Sequence, residues 1–179
     1  ELRSELSSQL VISLAAGKKL SQLEEWLGYS RVARIMTGLF VEEEMAFYTL
    51  GSGCREEDSY WLKYFFGEDT LKVEEPLLDV RTYLACDLGI MAQEEEAKIK
   101  RLAQEGLSEE HLRLAYGKML LALGKRFTEG TSGEELFSQV TGNSEKAFTY
   151  KLHCWLKEQG HYELLENSIE RTLNALRGK

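Results

Sequence analysis

A single proline, Pro76, interrupts a chain of 179 residues that also carries 15 glycines. Proline breaks helices, and glycine commonly ends them by adopting the left-handed conformation. A chain so poor in proline and so regularly stopped by glycine is constrained toward helices joined by short turns. The apolar spacing points the same way. Leu2, Leu6, Leu10 and Leu14 recur every fourth residue ahead of Gly17, which predicts a first helix. Leu20, Leu23 and Leu27 form a second, ending at Gly28. Ser30 caps a third, with Val32, Ile35, Met36, Leu39 and Phe40 on one face, running on through Phe47 and Leu50 to Gly51.

The second half repeats the pattern. Glu56, Glu57, Asp58 and Ser59 place acids and a cap before Trp61–Phe66, where a helix dipole favours negative charge. Residues 68–80 are the one extended stretch, a loop that holds Pro76. Helical periodicity resumes from Arg81 to Gln104 and stops at Gly106. Ser108 opens the next helix, Ser132-x-x-Glu135 matches a capping box, and Asn143 or Ser144 caps the one after. Tyr162, Leu165, Ile169, Leu173 and Leu176 mark the last. Only Thr70–Val73 looks strand-like, and it is too short to found a sheet. The expectation is an all-α, single-domain multi-helix bundle of about eight helices covering residues 1–179.

Composition narrows function. Hydrophobic residues make up 43% of the chain, enough to build a core, and the net charge is −8. So acidic a chain does not neutralise phosphate backbones, which argues against sequence-independent nucleic-acid binding. Three widely spaced cysteines, Cys54, Cys86 and Cys154, make neither a disulfide framework nor a CxxC metal site, and point to a reducing, cytoplasmic setting. The longest apolar run, Leu10–Ala16, is too short to span a bilayer, and the opening residues do not read as a signal peptide.

Few motifs carry chemistry. Leu20–Met36 has the outline of a helix-turn-helix, which would make a helical transcriptional regulator the alternative function. Glu24 stands where the two helices need a small residue, so a pair of core helices is the preferred account. One Glu-x-x-His match, Glu158–His161, is broken by Gly160, so no metal is expected. His153 and Cys154 are neighbours whose side chains diverge on a helix. No P-loop, GxSxG or Rossmann fingerprint occurs, so no enzyme activity and no cofactor are expected. The acid runs Glu42–Glu44 and Glu94–Glu96 read as solvated faces. Asp87 lies in an apolar helical run, either paired with an arginine such as Arg81 or placed at the mouth of a groove.

Trp61-Leu62-Lys63-Tyr64-Phe65, followed by Phe66-Gly67, resembles the first signature of the TorD/DmsD/NarJ family of redox-enzyme maturation chaperones. Glu75-Pro76-Leu77-Leu78-Asp79-Val80 stands where that family has its Pro-x-Asp-His, with Val80 in place of the histidine. Asp87–Lys98 is similar to the helix that follows it. The resemblance implies a cytoplasmic chaperone that binds the twin-arginine signal peptide or N-terminal tail of a molybdenum-containing reductase subunit. It also implies that the chaperone assists cofactor insertion. Asp79, Glu75, Glu74 and Asp87 would then meet the client's arginines, beside Pro76, with Trp61, Tyr64 and Phe65 along the apolar groove.

Overall fold

The structure, a computed structural model, describes residues 5–38 and 45–178. Its first element is a strand, β1 (Val11–Ser13), followed by helix α1 (Leu20–Leu27) and the strands β2 (Val32–Met36) and β3 (Phe47–Leu50). Then come α2 (Glu56–Phe66), β4 (Leu71–Lys72), a 3₁₀ turn over Glu75–Leu77, and five helices. These are α3 (Leu78–Ala103), α4 (Glu109–Thr128), α5 (Gly133–Thr141), α6 (Phe148–Glu158) and α7 (His161–Leu176).

The all-α expectation is therefore wrong: the strands form one sheet in the order β1-β2-β3-β4. β1 runs parallel to β2, with Val11 opposite Val32; β2 runs antiparallel to β3, with Arg34 opposite Thr49; β3 runs parallel to β4. The physical reason lies in Val11-Ile12 and Val32-Ala33-Arg34-Ile35-Met36. Short apolar runs of this kind fit a buried strand as well as a helix face, and β-branched side chains favour the strand. All five residues of β2 are buried, as in a strand covered on both faces. The helix expected from Leu2 to Leu14 is replaced by β1, with Leu2 outside the described residues. The helix expected after Ser30 is replaced by β2 and β3, with Leu39, Phe40 and Glu42–Glu44 outside them. The strand-like Thr70–Val73 holds β4, which joins the edge of the sheet as Leu71 and Val73 donate to the Ala46 and Tyr48 carbonyls at 2.8 Å each.

The same finding removes the helix-turn-helix. Leu20–Leu27 is helical and ends at Gly28 in the left-handed region, φ 61°, but the segment that would read DNA is β2. A strand at the centre of a sheet cannot enter a major groove as a recognition helix.

The backbone divides into two compact units, residues 1–89 with 169–179, and residues 90–168. In the first, Ala33, Ile35, Ala46, Tyr48 and Leu62 form the core, with Leu10, Ile12, Leu50 and Phe66 packed against it. Leu62 brings α2 onto the sheet. Two glycines let the β3–α2 turn lie against β2: a Cβ at Gly51 would sit 2.6 Å from the Ser30 carbonyl oxygen and 2.8 Å from that of Val32. The Gly53 amide donates to the Ser30 carbonyl at 3.0 Å.

The second unit is helical. Arg113 of α4 reaches Glu96 of α3 and Glu109 of its own first turn, both at 2.8 Å. Ile99 of α3 and Leu112 of α4 are buried. Phe137 of α5 packs on His153 of α6, whose Nδ1 lies 2.8 Å from the Tyr162 hydroxyl. Ser108 and Ser132 cap α4 and α5 by accepting from the His111 and Glu135 amides, as their sequence positions predict. Among the described residues no helix is long and apolar enough to cross a membrane.

Candidate functional site

In a sheet with parallel strands, ligands settle beyond the strands' carboxyl ends. Here β1 leads out of its carboxyl end into Ala16-Gly17-Lys18-Lys19 and then α1. That loop borders a cleft of about 1,020 Å³. Arg34, Glu75, Pro76 and Asp79 line it as well, together with Gln22 and the stretch Ala175–Gly178.

Arg34 gives the cleft its character. Strand alternation puts Ala33 and Ile35 on the core face and Arg34 on the other. The residue is 2% exposed, so its charge requires a partner. Glu75 supplies it: Glu75 Oε1 accepts from Arg34 Nη1 at 2.7 Å and from the Leu20 amide at 2.5 Å. One carboxylate thus satisfies a buried guanidinium and an open amide at the start of α1, where the helix dipole also favours an anion. Among the described residues Arg34 Nε is buried without any partner.

The remaining charge is cationic. Lys18 and Lys19 are exposed, and Lys18 Nζ lies 5.6 Å over the Trp26 ring. Arg177 approaches Asp79 at 3.8 Å. Among the described residues Lys18, Lys19, Arg34 and Arg177 face Glu75 and Asp79 along the wall, a net positive cleft on a chain of net charge −8. Such a cleft suits a small anion.

The structure separates the residues singled out in the sequence. Glu75, Pro76 and Asp79 come together at the cleft, and Asp79 stands in the first turn of α3 rather than in a loop. Glu74 faces a second cavity of about 770 Å³ at the carboxyl ends of β3 and β4, which Cys54 and Lys72 also line. On the outer side of α2, Trp61 stacks on Phe65 and Tyr64 meets both edge to face; the three are 45%, 65% and 63% exposed in the order Trp61, Tyr64, Phe65. Asp87 accepts from the Tyr83 hydroxyl at 3.1 Å, while Arg81 Nε donates to the Met45 carbonyl at 2.8 Å. Burial raises the Tyr83 pKa, and the hydrogen bond to Asp87 adds to the rise. Lys18, Lys19, Arg34 and Arg177 were missed. The available signals were a Lys-Lys pair directly after Gly17 and an arginine inside the apolar run Val32–Met36.

No protein-family model matches the chain. Among curated proteins it is 39% identical over 90 residues to a pyrroline-5-carboxylate reductase of Arabidopsis thaliana, covering 48% of this chain and 33% of the relative. Over 81 residues it is 36% identical to the enzyme of that name from Glycine max, covering 43% of this chain and 30% of the relative. The matched part thus spans a third or less of these relatives. Among solved structures, the pyrroline carboxylate reductase of Plasmodium falciparum with NADP bound superimposes with a TM-score of 0.85 at 18% identity, over 98% of this chain and 69% of that one. The 1-pyrroline-5-carboxylate reductase of Streptococcus pyogenes gives 0.83 at 18% identity, over 99% and 71%. The fold is shared with these reductases.

These findings overturn the maturation-chaperone resemblance and the function drawn from it. The aromatic run that carried it is an outward face of a helix in an α/β unit. The client, a molybdenum-containing reductase subunit or its twin-arginine peptide, goes with it, as does the transcriptional regulator. The expectation of a non-enzyme is corrected too, because the relatives are named as reductases.

Proposed function

We propose that this protein takes part in reducing a pyrroline-5-carboxylate-type substrate, a cyclic imine bearing a carboxylate. The observation that carries the reading is the 39% identity over 90 residues to a reductase of that name. The shared fold and the cationic cleft support it, since a small carboxylate is attracted to Lys18, Lys19 and Arg34. A nicotinamide dinucleotide would supply the hydride.

The usual seat of such a dinucleotide is a G-x-G-x-x-G turn between a strand and a helix. The one G-x-G in this sequence is Gly51-Ser52-Gly53, and Glu56 stands at the sixth position. Both glycines are pressed against the backbone that enters β2, and a Cβ on either would collide with Ser30. This turn does not fit a pyrophosphate. The part proposed for the described residues is therefore confined to the small anion. Cys54, Cys86 and Cys154 are all free thiols, which supports the cytoplasm as the place of action.

The test mixes the purified protein, expressed at its full natural length, with NADPH and pyrroline-5-carboxylate and follows NADPH absorbance. Substrate-dependent oxidation is the expected result. A folded protein that oxidises neither NADPH nor NADH with this substrate overturns the reading.

A further inference from the structure

We propose that the cleft beside α1 is an oxyanion-binding site built on Arg34, Lys18 and Lys19, in which the Glu75 carboxylate is a resident occupant that an external carboxylate or phosphate displaces. The inference deepens the reductase reading, on which it rests for the choice of a small carboxylate, by assigning the groups that hold the anion in this cleft.

Arg34 carries the first part of the argument. It is 2% exposed and lies on the sheet face away from the apolar core. Of its nitrogens, Nη1 is engaged by Glu75, and Nε is buried with no partner among the described residues. An unsatisfied buried donor is costly, and native proteins retain few of them. A buried guanidinium kept only for structure would be expected to have its donors satisfied by the fold. This one borders an open cleft and holds donor capacity in reserve.

Glu75 carries the second part. Its Oε1 sits where a bound anion would sit, on the first amide of α1 and on Arg34 together. It is itself half-buried: its side chain is 32% exposed, and it belongs to a three-residue 3₁₀ turn rather than to a longer helix or a strand. A ligand oxygen can take over both of its hydrogen bonds while Glu75 turns to solvent. Lys18 and Lys19 stand at the rim with no carboxylate partner among the described residues, so they attract the incoming anion without first breaking an ion pair. Nothing covalent happens. One charge-assisted hydrogen-bonded pair is exchanged for another, so affinity is set by how well the ligand outcompetes Glu75.

The experiment is calorimetric titration of the purified protein with inorganic phosphate and, separately, with L-proline, in the absence of nucleotide. Three proteins are compared: wild type, Lys18→Gln/Lys19→Gln and Glu75→Gln. The wild type is expected to bind one of the two ligands saturably, inorganic phosphate or the carboxylate of zwitterionic L-proline; which one identifies a phosphate or a carboxylate as the natural group. Removing the resident charge in Glu75→Gln should tighten binding about tenfold, and removing both lysines should weaken it by about the same factor. Thermal melting supplies a second readout: the anion should raise the Tm of Glu75→Gln more than that of the wild type, because it restores a partner to Arg34. Absence of saturable binding by the wild type and Glu75→Gln overturns the site. So does unchanged affinity in Glu75→Gln, or in the lysine double variant. The titration involves no turnover, so its failure leaves the reductase reading standing, and a missing reductase activity leaves this site standing.

Discussion

Asp58 receives two arms of the Arg31 guanidinium, Nη2 to Oδ1 at 2.6 Å and Nε to Oδ2 at 3.1 Å. The same Oδ2 accepts from the Arg55 amide at 2.7 Å, so Asp58 also closes the start of α2. Arg31 precedes β2 and reaches the Ser8 carbonyl as well. The Asp58–Arg31 pair thereby fastens α2, the entry to β2 and the segment ahead of β1.

Asp58→Ala should lower stability by about 2–3 kcal/mol, discounted from the roughly 3–5 of a sealed pair because Arg31 still meets solvent. The hydrogen bonds from Arg31 hold the Asp58 pKa below its ordinary value, against the opposing pull of burial. The unfolded chain, with a carboxylate pKa of about 3.9, then binds protons first as pH falls. The contribution of Asp58 is fully present above that value and is lost as pH drops through the folded one. Urea unfolding at pH 7, 4 and 3 checks this. The wild type should lose more stability on acidification than Asp58→Asn, and parallel losses in the two proteins would refute the linkage.

Leu62 and Phe65 lie within one turn of each other on α2 but in different surroundings. Leu62 is fully buried in the core of the first unit, whereas Phe65 is 63% exposed. Leu62→Ala should cost about 2–5 kcal/mol through lost burial and the cavity left behind. Phe65→Ser should change stability by no more than about 0.5 kcal/mol. Guanidinium melts of the two variants decide the matter, and similar costs at both positions would show that the aromatic row is covered in the folded protein.

The cysteines should differ in reactivity. Burial raises the Cys54 pKa, and its Sγ lies 3.3 Å from the Val32 carbonyl as a donor. Cys86 is exposed on α3. The thiolate is the reacting form, so at pH 8 iodoacetamide should label Cys86 well ahead of Cys54. Peptide mass spectrometry over a time course reads this directly; labelling of Cys54 first would contradict the burial.

The local signals in this chain were legible one helix at a time. Gly28 after Leu20–Leu27, Ser108 before α4 and Ser132-x-x-Glu135 before α5 mark ends that form, because a cap and its amide lie close together in the chain. The acids and Ser59 expected ahead of Trp61 instead lie inside α2, which begins at Glu56. The sheet was not legible in this way. Val11–Ser13 and Val32–Met36 are too short to separate a period of 2 from one of 3.6. What makes them strands is pairing with partners about 20 residues distant, or, for Met36 with Phe47, across a gap that no local rule spans. The misassigned strands hid the cleft as well. Once Val32–Met36 is read as a helix, Arg34 becomes an ordinary surface charge. As a strand it buries the guanidinium, and only the tertiary fold brings Glu75, 41 residues on, to within 2.7 Å of it. Sequence by itself determined where helices stop and which acids gather near Pro76. The tertiary structure decided which of those acids meets a buried cation, because burial and ion pairing depend on contacts between segments far apart in the chain.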